Sequence, residues 1–504
     1  MPLSPQSDVT SEDRERGLRL LVIEAAFSGG AAALTTGVIL TAFALHLGAS
    51  TVMVGILAST PFLAQLLQLP AIQLVERWRR RKQIAVVTSL IGRAMLAVMA
   101  IIAFFSGTVP LLIFLAAQFV FCGLGAIGGC AWNAWMRDLA PDERLGQVFA
   151  RRTVWLTAIS LVLGLAAALA LDVTPAGSFA RDLVFAGMFA TGCITGLISA
   201  RVVAMMPEPM MPPPAARIDL WQLLRQPLRD VNFSRLLVFV ASWQFAINLA
   251  TPFFTVFIVR QLRFDISFVL LLSVASQVAN ILAVRMWGRL SDRFANKSVL
   301  AVCAPAYILA IVAMIGASQL GDRTVVKLWL IALHLVMGAT IAGVTLTSMN
   351  IALKLSPKGS ATAYVATNAM VTAVAAGVAP ILGGLFAEFF AARQFELIAR
   401  WTGPSGAIAL PIVLTEWDFY FLFAGIIGLY AVHRLSLVAE HGEIERRAMV
   451  GQLLDETRRT IRNISSVAGL RAATDLPGAL LRDARLRARL RRAQQAQRAR
   501  AKTP

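Results

Sequence analysis

Apolar residues in this chain come in repeated runs of about twenty or more, each long enough for a helix to cross a hydrocarbon core of ~30 Å. No feature constrains the fold more, because hydrocarbon leaves backbone N–H and C=O groups only one another as partners. Runs of this length suit helices, whereas a barrel strand needs about ten residues. Of the 504 residues, 57% are hydrophobic and 15% charged, against about a quarter charged in a soluble domain.

Twelve spans are predicted. The first six run from Leu20 to Leu47, Val52 to Val75, Ile84 to Ser106, Val109 to Met136, Val154 to Leu171 and Leu183 to Met205. The second six run from Phe233 to Val259, Phe268 to Leu290, Ser298 to Ser318, Val326 to Leu355, Ala361 to Phe390 and Ile412 to Leu435. The expected fold is therefore an all-α membrane protein of two pseudo-symmetric six-helix bundles, 20–206 and 233–437. These are flanked by a polar N-terminus 1–19, a linker 207–232 and a basic tail 438–504. The linker opens with Pro207, Pro209 and the run Pro212, Pro213, Pro214, so it cannot begin as a helix. Its later part, Ile218 to Val231, sets Leu220, Trp221, Leu223, Leu224 and Leu228 beside Arg225 and Arg229, as an interfacial amphipathic helix would.

The formal charge of +19 falls almost wholly between spans and in the tail, which reads as topology rather than as a nucleic-acid surface. Arg77, Arg79, Arg80, Arg81 and Lys82 follow span 2; Arg137, Arg144, Arg151 and Arg152 follow span 4; Arg289, Arg293 and Lys297 follow span 8. The connectors after spans 1 and 3 hold no Lys or Arg. Both termini are thus expected in the cytoplasm and the chain in a bacterial inner membrane, as a monomer. The tail has the charge to meet anionic lipid.

The N-terminus lacks the order of a cleaved signal peptide. Cys122, Cys130, Cys193 and Cys303 all lie inside apolar segments with no metal or disulfide spacing. No metal and no cofactor are expected. His46, His334, His433 and His441 are scattered, which offers no catalytic cluster, and no phosphate-cradling Gly-x-x-x-x-Gly-Lys-Ser/Thr loop is present.

Glu76-Arg77 at the end of span 2 and Asp292-Arg293 at the end of span 8 stand 216 positions apart, and the same offset carries Leu139 to Leu355 and Pro141 to Pro357. Landmarks in register imply a duplication. Parallel repeats of this kind build transporters that hold a solute near the midplane where the halves meet.

With these residues in view, the chain from Leu20 to Leu435 resembles the major facilitator superfamily. That family's Gly-x-x-x-Asp-Arg signature is matched by Gly288, Asp292, Arg293, Asn296 and Lys297. The first-half copy departs from it, with Ile72 for Gly and Glu76 for Asp. The resemblance implies a cytoplasmic gate at Glu76, Arg77, Gly288, Asp292, Arg293 and Lys297, secondary active transport of a small solute, and spans 1, 4, 7 and 10 along the path. Gly377, Pro380, Gly383 and Gly384 in span 11 look like a Gly-Pro kink motif that antiporters carry in span 5. Trp132, Trp135, Met136, Arg137, Asp138, Pro141, Arg144 and Gly146 are similar to a subfamily of bacterial permeases.

Polar side chains within spans should face one another or a cavity. Gln244, Asn248, Thr251 and Thr255 lie on one face of span 7. Ser273, Gln277 and Asn280 repeat the pattern in span 8, and Gln118, Cys122, Gly129 and Asn133 in span 4. These stripes are the expected solute cavity, although any single amide also suits an interhelical hydrogen bond. His334 in span 10 is either a titrating group or a satisfied neutral histidine. Two charges need partners: Glu24 in span 1 and Arg93 in span 3, expected to pair with each other, or Arg93 with a loop acid such as Glu76. Glu24 is the candidate proton carrier. Trp132, Trp135 and Trp243 are either stacking surfaces or interface anchors. A non-transporting scaffold or a lipid-moving protein of the same fold is the alternative reading.

Overall fold

The computed structural model describes residues 4–6, 9–139, 142–211, 220–357, 361–403 and 406–440. The prolines Pro212, Pro213 and Pro214, and the tail from 441 onward, lie outside the described residues. Twelve helices are long and apolar enough to cross a membrane. Spans 1 to 6 are Ser11–His46, Thr51–Trp78, Arg81–Ile102, Thr108–Leu139, Val148–Asp172 and Phe179–Ala204. Spans 7 to 12 are Val231–Gln261, Ile266–Phe294, Asn296–Gln319, Arg323–Lys354, Ala363–Phe390 and Glu416–Ser436. The linker helix is Leu220–Arg229.

Local chemistry sets the ends. Span 1 starts nine residues before the apolar run because Thr10 and Asp13 form a capping box, Asp13 N donating to Thr10 Oγ1 at 3.1 Å, which satisfies N–H groups that the first turn leaves free. Span 12 starts at Glu416 rather than Ile412. Ile412, Val413 and Leu414 belong instead to a strand, β2 (Gly406–Leu414), paired antiparallel with β1 (Phe395–Gly403). A short apolar run rich in β-branched residues fits either a strand or a helix end, and here a hairpin between spans 11 and 12 takes it. Around both bundles, side chains such as Ile101, Val162, Leu282, Leu328 and Ile426 stand exposed, an aliphatic belt suited to lipid.

The duplication is visible in backbone and side chains: Arg79 and Ala295, Arg81 and Lys297, and Asp138 and Lys354 keep the 216-residue offset, while the glutamates that meet them, Glu208 and Glu440, stand 232 apart. The turn from span 2 to span 3 is capped by Arg79 in the left-handed region (φ 53°), and that from span 8 to span 9 by Ala295 (φ 90°). Arg81 opens span 3, and its backbone N–H donates to Glu208 Oε1 at 2.7 Å; Lys297 opens span 9, and its N–H donates to Glu440 Oε2 at 2.7 Å. Span 4 contributes Asp138, 2.5 Å from Arg81 Nη1, and span 10 contributes Lys354, 2.9 Å from Glu440 Oε1. In each half a buried glutamate just past the last span thus caps the N-terminus of the third, where the helix dipole favours an anion. The described second half therefore extends to Glu440, beyond the expected boundary at 437.

Burial alone would raise the Glu440 carboxyl. The hydrogen bonds from Lys354 Nζ, Lys297 N and Asn296 Nδ2, together with the Lys354 charge, outweigh it and hold the carboxyl below its usual range. Glu208 shows the opposite balance. Burial pushes it up, against donors from Lys82 N, Arg81 N and the Arg81 guanidinium.

A group with a depressed folded pKa gives stability that is present above its unfolded pKa and lost as pH falls through the folded one. Glu440→Gln should therefore cost about 1–3 kcal/mol at neutral pH. It should also remove part of the acid limb of stability, which sets in as pH falls below the ordinary carboxylate range of about 4–5, read by thermal unfolding of the purified protein in detergent. An unchanged midpoint and acid limb would show that the clasp contributes nothing.

Candidate functional site

Span 1 is interrupted at Thr36, whose backbone is extended (φ −132°, ψ 175°), and Gly37 follows in the left-handed region at φ +60°, a conformation that Gly adopts at little cost. By the 216-residue offset Thr36 corresponds to Pro252, which lies inside span 7. Both line one cavity of about 500 Å³ between the halves. Interrupted helices at the midplane of a parallel repeat are where transporters hold solutes.

The walls of this central cavity are mostly apolar, including Leu40, Leu57, Phe254, Ile258 and Val269, with a few polar groups from both halves. Gln118 is buried; its Nε2 donates to Cys122 Sγ at 3.3 Å while its Oε1 has no hydrogen-bond partner. His334 is buried with Nδ1 2.8 Å from Leu330 O. When neutral, this ring donates from Nδ1 and keeps Nε2 as an acceptor. Tyr307 of span 9 faces Thr251, 3.5 Å between hydroxyls, and Ser273 and Ser276 complete the wall.

A second cavity, about 320 Å³, lies within the first half and shares Phe121 and Cys122 with the central one. It contains the charges. Glu24 is 5% exposed, and its partner is Arg152, which donates from Nη2 to Oε2 at 3.2 Å, while Ser199 Oγ donates to Oε1 at 3.0 Å. The expected pairing of Glu24 with Arg93, or of Arg93 with Glu76, is thereby corrected. Arg93 is positioned over the Phe121 ring at 5.4 Å, and Glu76 is exposed. Span 5 extends N-terminally past the expected Val154, which brings Arg152 into the helix, one turn from the apolar run. A third cavity, about 360 Å³, lies in the second half and is lined by Trp243, Gln244, Ser348 and Asn368.

Among the other expected cavity residues, Asn248 is buried and donates to Gln244 O and Oε1 of its own helix at 2.9 and 3.2 Å. Asn280 is half-buried, Gln277 and Asn133 are exposed, and none of these three lines a described cavity. At the expected gate, Glu76, Arg77, Asp292 and Arg293 are exposed; Arg293 stacks on Phe294 at 4.9 Å. A Cβ on Gly288 would meet only Leu346 Cδ2 at 3.8 Å, ordinary contact, so packing does not demand glycine there. Of the gate residues, Lys297 is drawn into the Glu440 clasp. Trp135 is fully buried and donates to Pro207 O at 2.9 Å, while Trp132 lines the charged cavity under the Arg152 guanidinium, 5.0 Å away. Among the described residues no group of His, Cys, Asp and Glu is close enough to hold a metal ion.

The halves meet where span 2 packs on span 11 and span 5 on span 8. At the end opposite the termini, Asp172 of span 5 accepts from the N–H groups of Ile266 and Ser267 at 2.9 and 3.0 Å, capping span 8 across the interface. Arg260 donates to Ala49 O at 3.0 Å. The second and third cavities lie nearer the terminal end, reaching Arg152 and Ala352. The molecule is therefore joined at the distal end, with separate hollows in each half toward the termini.

The family model of the Major Facilitator Superfamily matches residues 21–380 and, overlapping, 236–473. The chain belongs to that superfamily and is a multi-pass membrane protein of the transporter class. Among solved structures, a point mutant of the nucleoside transporter NupG superposes with a TM-score of 0.63 at 12% identity, covering 84% of this chain and 100% of that one. A bacterial homologue of the human lysosomal transporter Spinster, inward-facing and occupied, gives 0.59 at 15%, covering 85% and 97%. A D-xylose-proton symporter gives 0.59 at 13%, covering 86% and 98%. At these identities the likeness is one of fold. No match is found among curated proteins.

A Cβ on Gly55 of span 2 would clash with the Pro380 carbonyl of span 11, a backbone atom that cannot swing aside. Gly55→Val should therefore loosen the distal end. In a background lacking the native cysteines, Val38→Cys, at the central cavity, should react several-fold faster with a bulky maleimide supplied from the distal side. Equal rates would show that the span 2 to span 11 seam does not hold that end shut.

Proposed function

We propose that this chain is a secondary active transporter that moves a small solute across the cytoplasmic membrane by alternating access, coupled to protons through Glu24. The observation that carries this reading is the central cavity, shared by both halves and bounded in the first by the break of span 1 at Thr36 and in the second by Pro252, at the matching position of the repeat within span 7. A cavity placed at the seam is reached from one face or the other as the halves rock, which is how a fixed site serves both sides of a bilayer.

With the basic connectors in the cytoplasm, the distal seam is the outer gate and the arrangement is the inward-facing state. The sequence signature and the glutamate clasps then lie on the cytoplasmic side, where they brace the ends of spans 3, 4, 9 and 10 in each half. The gate residues Glu76, Arg77, Gly288, Asp292, Arg293 and Lys297 belong to that side. Gln118 and His334 line the central solute site and Gln244 the hollow of the second half. The amphipathic linker helix and the basic tail suit an anionic lipid surface.

Glu24 supports proton coupling through its position. It is a buried carboxylate on the wall of a cavity that adjoins the solute site across Phe121 and Cys122, and it is held by one guanidinium and one hydroxyl that a proton would release. Glu24→Gln should abolish uphill accumulation of solute in proteoliposomes while downhill exchange continues. Accumulation at the wild-type level under a proton gradient would remove Glu24 from the coupling step.

A further inference from the structure

The charged cavity holds two guanidiniums, Arg93 and Arg152, and one carboxylate, Glu24. Arginine stays protonated in proteins, so the site carries one cation more than it has anions. Arg152 is only half satisfied: Nη2 binds Glu24, while its buried Nε has no partner. Arg93 stacks on Phe121 and Arg152 on Trp132, which holds both guanidiniums against aromatic faces on the cavity wall. A surplus cation within a membrane span is costly and is characteristically matched by a counter-ion. Phe121 and Cys122 line both this hollow and the adjoining central cavity, whose apolar wall includes Leu40, Leu57, Phe254, Ile258 and Val269.

We propose that the solute is an organic monoanion, with a carboxylate or phosphodiester head bound by Arg152 and Arg93 and an apolar body in the central cavity, and that Glu24 competes with this head for Arg152. The inference rests on the transport reading above and names its substrate class. A protonated Glu24 gives up Arg152 Nη2, and the incoming anion takes that donor together with the unpartnered Nε, the planar fork suited to a carboxylate or phosphate. The charge balances. The empty cavity has two cations and one anionic Glu24; the loaded one has two cations, a neutral Glu24 and one anionic solute. One proton and one anion entering together leave the site's charge unchanged, so loading adds no charge to be carried across the bilayer.

The groups that face Glu24 are Arg152 from span 5, Ser199 from span 6 and, across the cavity, Arg93 from span 3. Among the described lining residues Glu24 is the one carboxylate, so the competition has a single titrating partner.

The test uses the full chain in neutral phosphatidylcholine nanodiscs. Octanoate, benzoate and dibutyl phosphate are compared with octanamide, benzamide and tributyl phosphate by thermal shift and calorimetry. At least one acid should stabilise the protein while its neutral counterpart does not, and carboxylate affinity should weaken with rising pH by up to about tenfold per unit, as uptake of one linked proton requires. Glu24→Gln should tighten carboxylate binding at least about tenfold at alkaline pH and flatten that dependence. Arg152→Gln should abolish binding, and Arg152→Lys should restore part of it. If Arg152→Gln yields no folded protein, the Glu24→Gln measurements decide alone.

Neutral compounds binding as well as their acids, or a Glu24→Gln variant with unchanged affinity and pH dependence, would overturn the proposal. So would stabilisation by phosphatidylglycerol and by none of the soluble acids, which would assign the guanidiniums to a lipid headgroup. Acid binding without proton-driven flux would instead overturn the transport reading and leave the anion site standing. Flux without acid preference would do the reverse.

Discussion

Hydrocarbon supplies no hydrogen bonds, and most of the architecture follows from the need to satisfy polar groups without water. The clearest response is the pair of glutamates past the sixth and twelfth spans. Each is drawn out of solvent to cap the helix that opens the third span of its half, with Asp138 or Lys354 of the fourth span completing the cluster. The two clusters differ in sign pattern. In the first an arginine is flanked by two acids, and in the second a glutamate is met by a lysine and an asparagine. The geometry has been kept while the charges were redistributed, because what the helix end requires is an anion at its N-terminus. How the surrounding charge is balanced is free to vary.

The same constraint separates the two kinds of polar group in the spans. Asn248 turns its Nδ2 onto Gln244 of its own helix, so its donor group is engaged within the span. Gln118 keeps a buried carbonyl oxygen unmatched beside the cavity, and Arg152 keeps an N–H. A stripe of amides on a helix therefore mixes groups that stabilise the helix with groups left open for a visitor. The open ones are those whose own chain offers no acceptor or donor at the right distance.

Much of the fold was legible in the sequence. Run length marked the twelve spans, and the 216-residue offset marked the repeat, because both depend on local apolar content and on chemistry preserved at turns. The hairpin was not legible, since Ile412, Val413 and Leu414 read equally well as the start of a helix. The ion pair of Glu24 was missed for a related reason. Arg152 stands at the edge of a basic connector and reads as a topological signal, and only the longer fifth span places it inside the bundle opposite span 1. The Glu440 clasp also escaped notice, because a single acid at the start of a polar tail has no periodicity to announce it. For the cavity, residue type was informative and side-chain direction was not: Gln118, Gln244 and His334 line hollows, whereas Asn133, Gln277 and Asn280 do not.

The bonds that Asp172 makes across the distal seam are of a particular kind. Its carboxylate holds the first two N–H groups of a helix, and both sides of that contact sit at the rim rather than in the oily interior. In the alternating-access cycle proposed above, parting of the seam lets water reach carboxylate and amides at once and replace what is lost, so the latch is exchanged for hydration at little net cost. The rim then sets no strong preference between open and shut. That preference passes to the dry contact deeper in, where Gly55 lies against the Pro380 carbonyl and no solvent is at hand to replace what the separating surfaces give up.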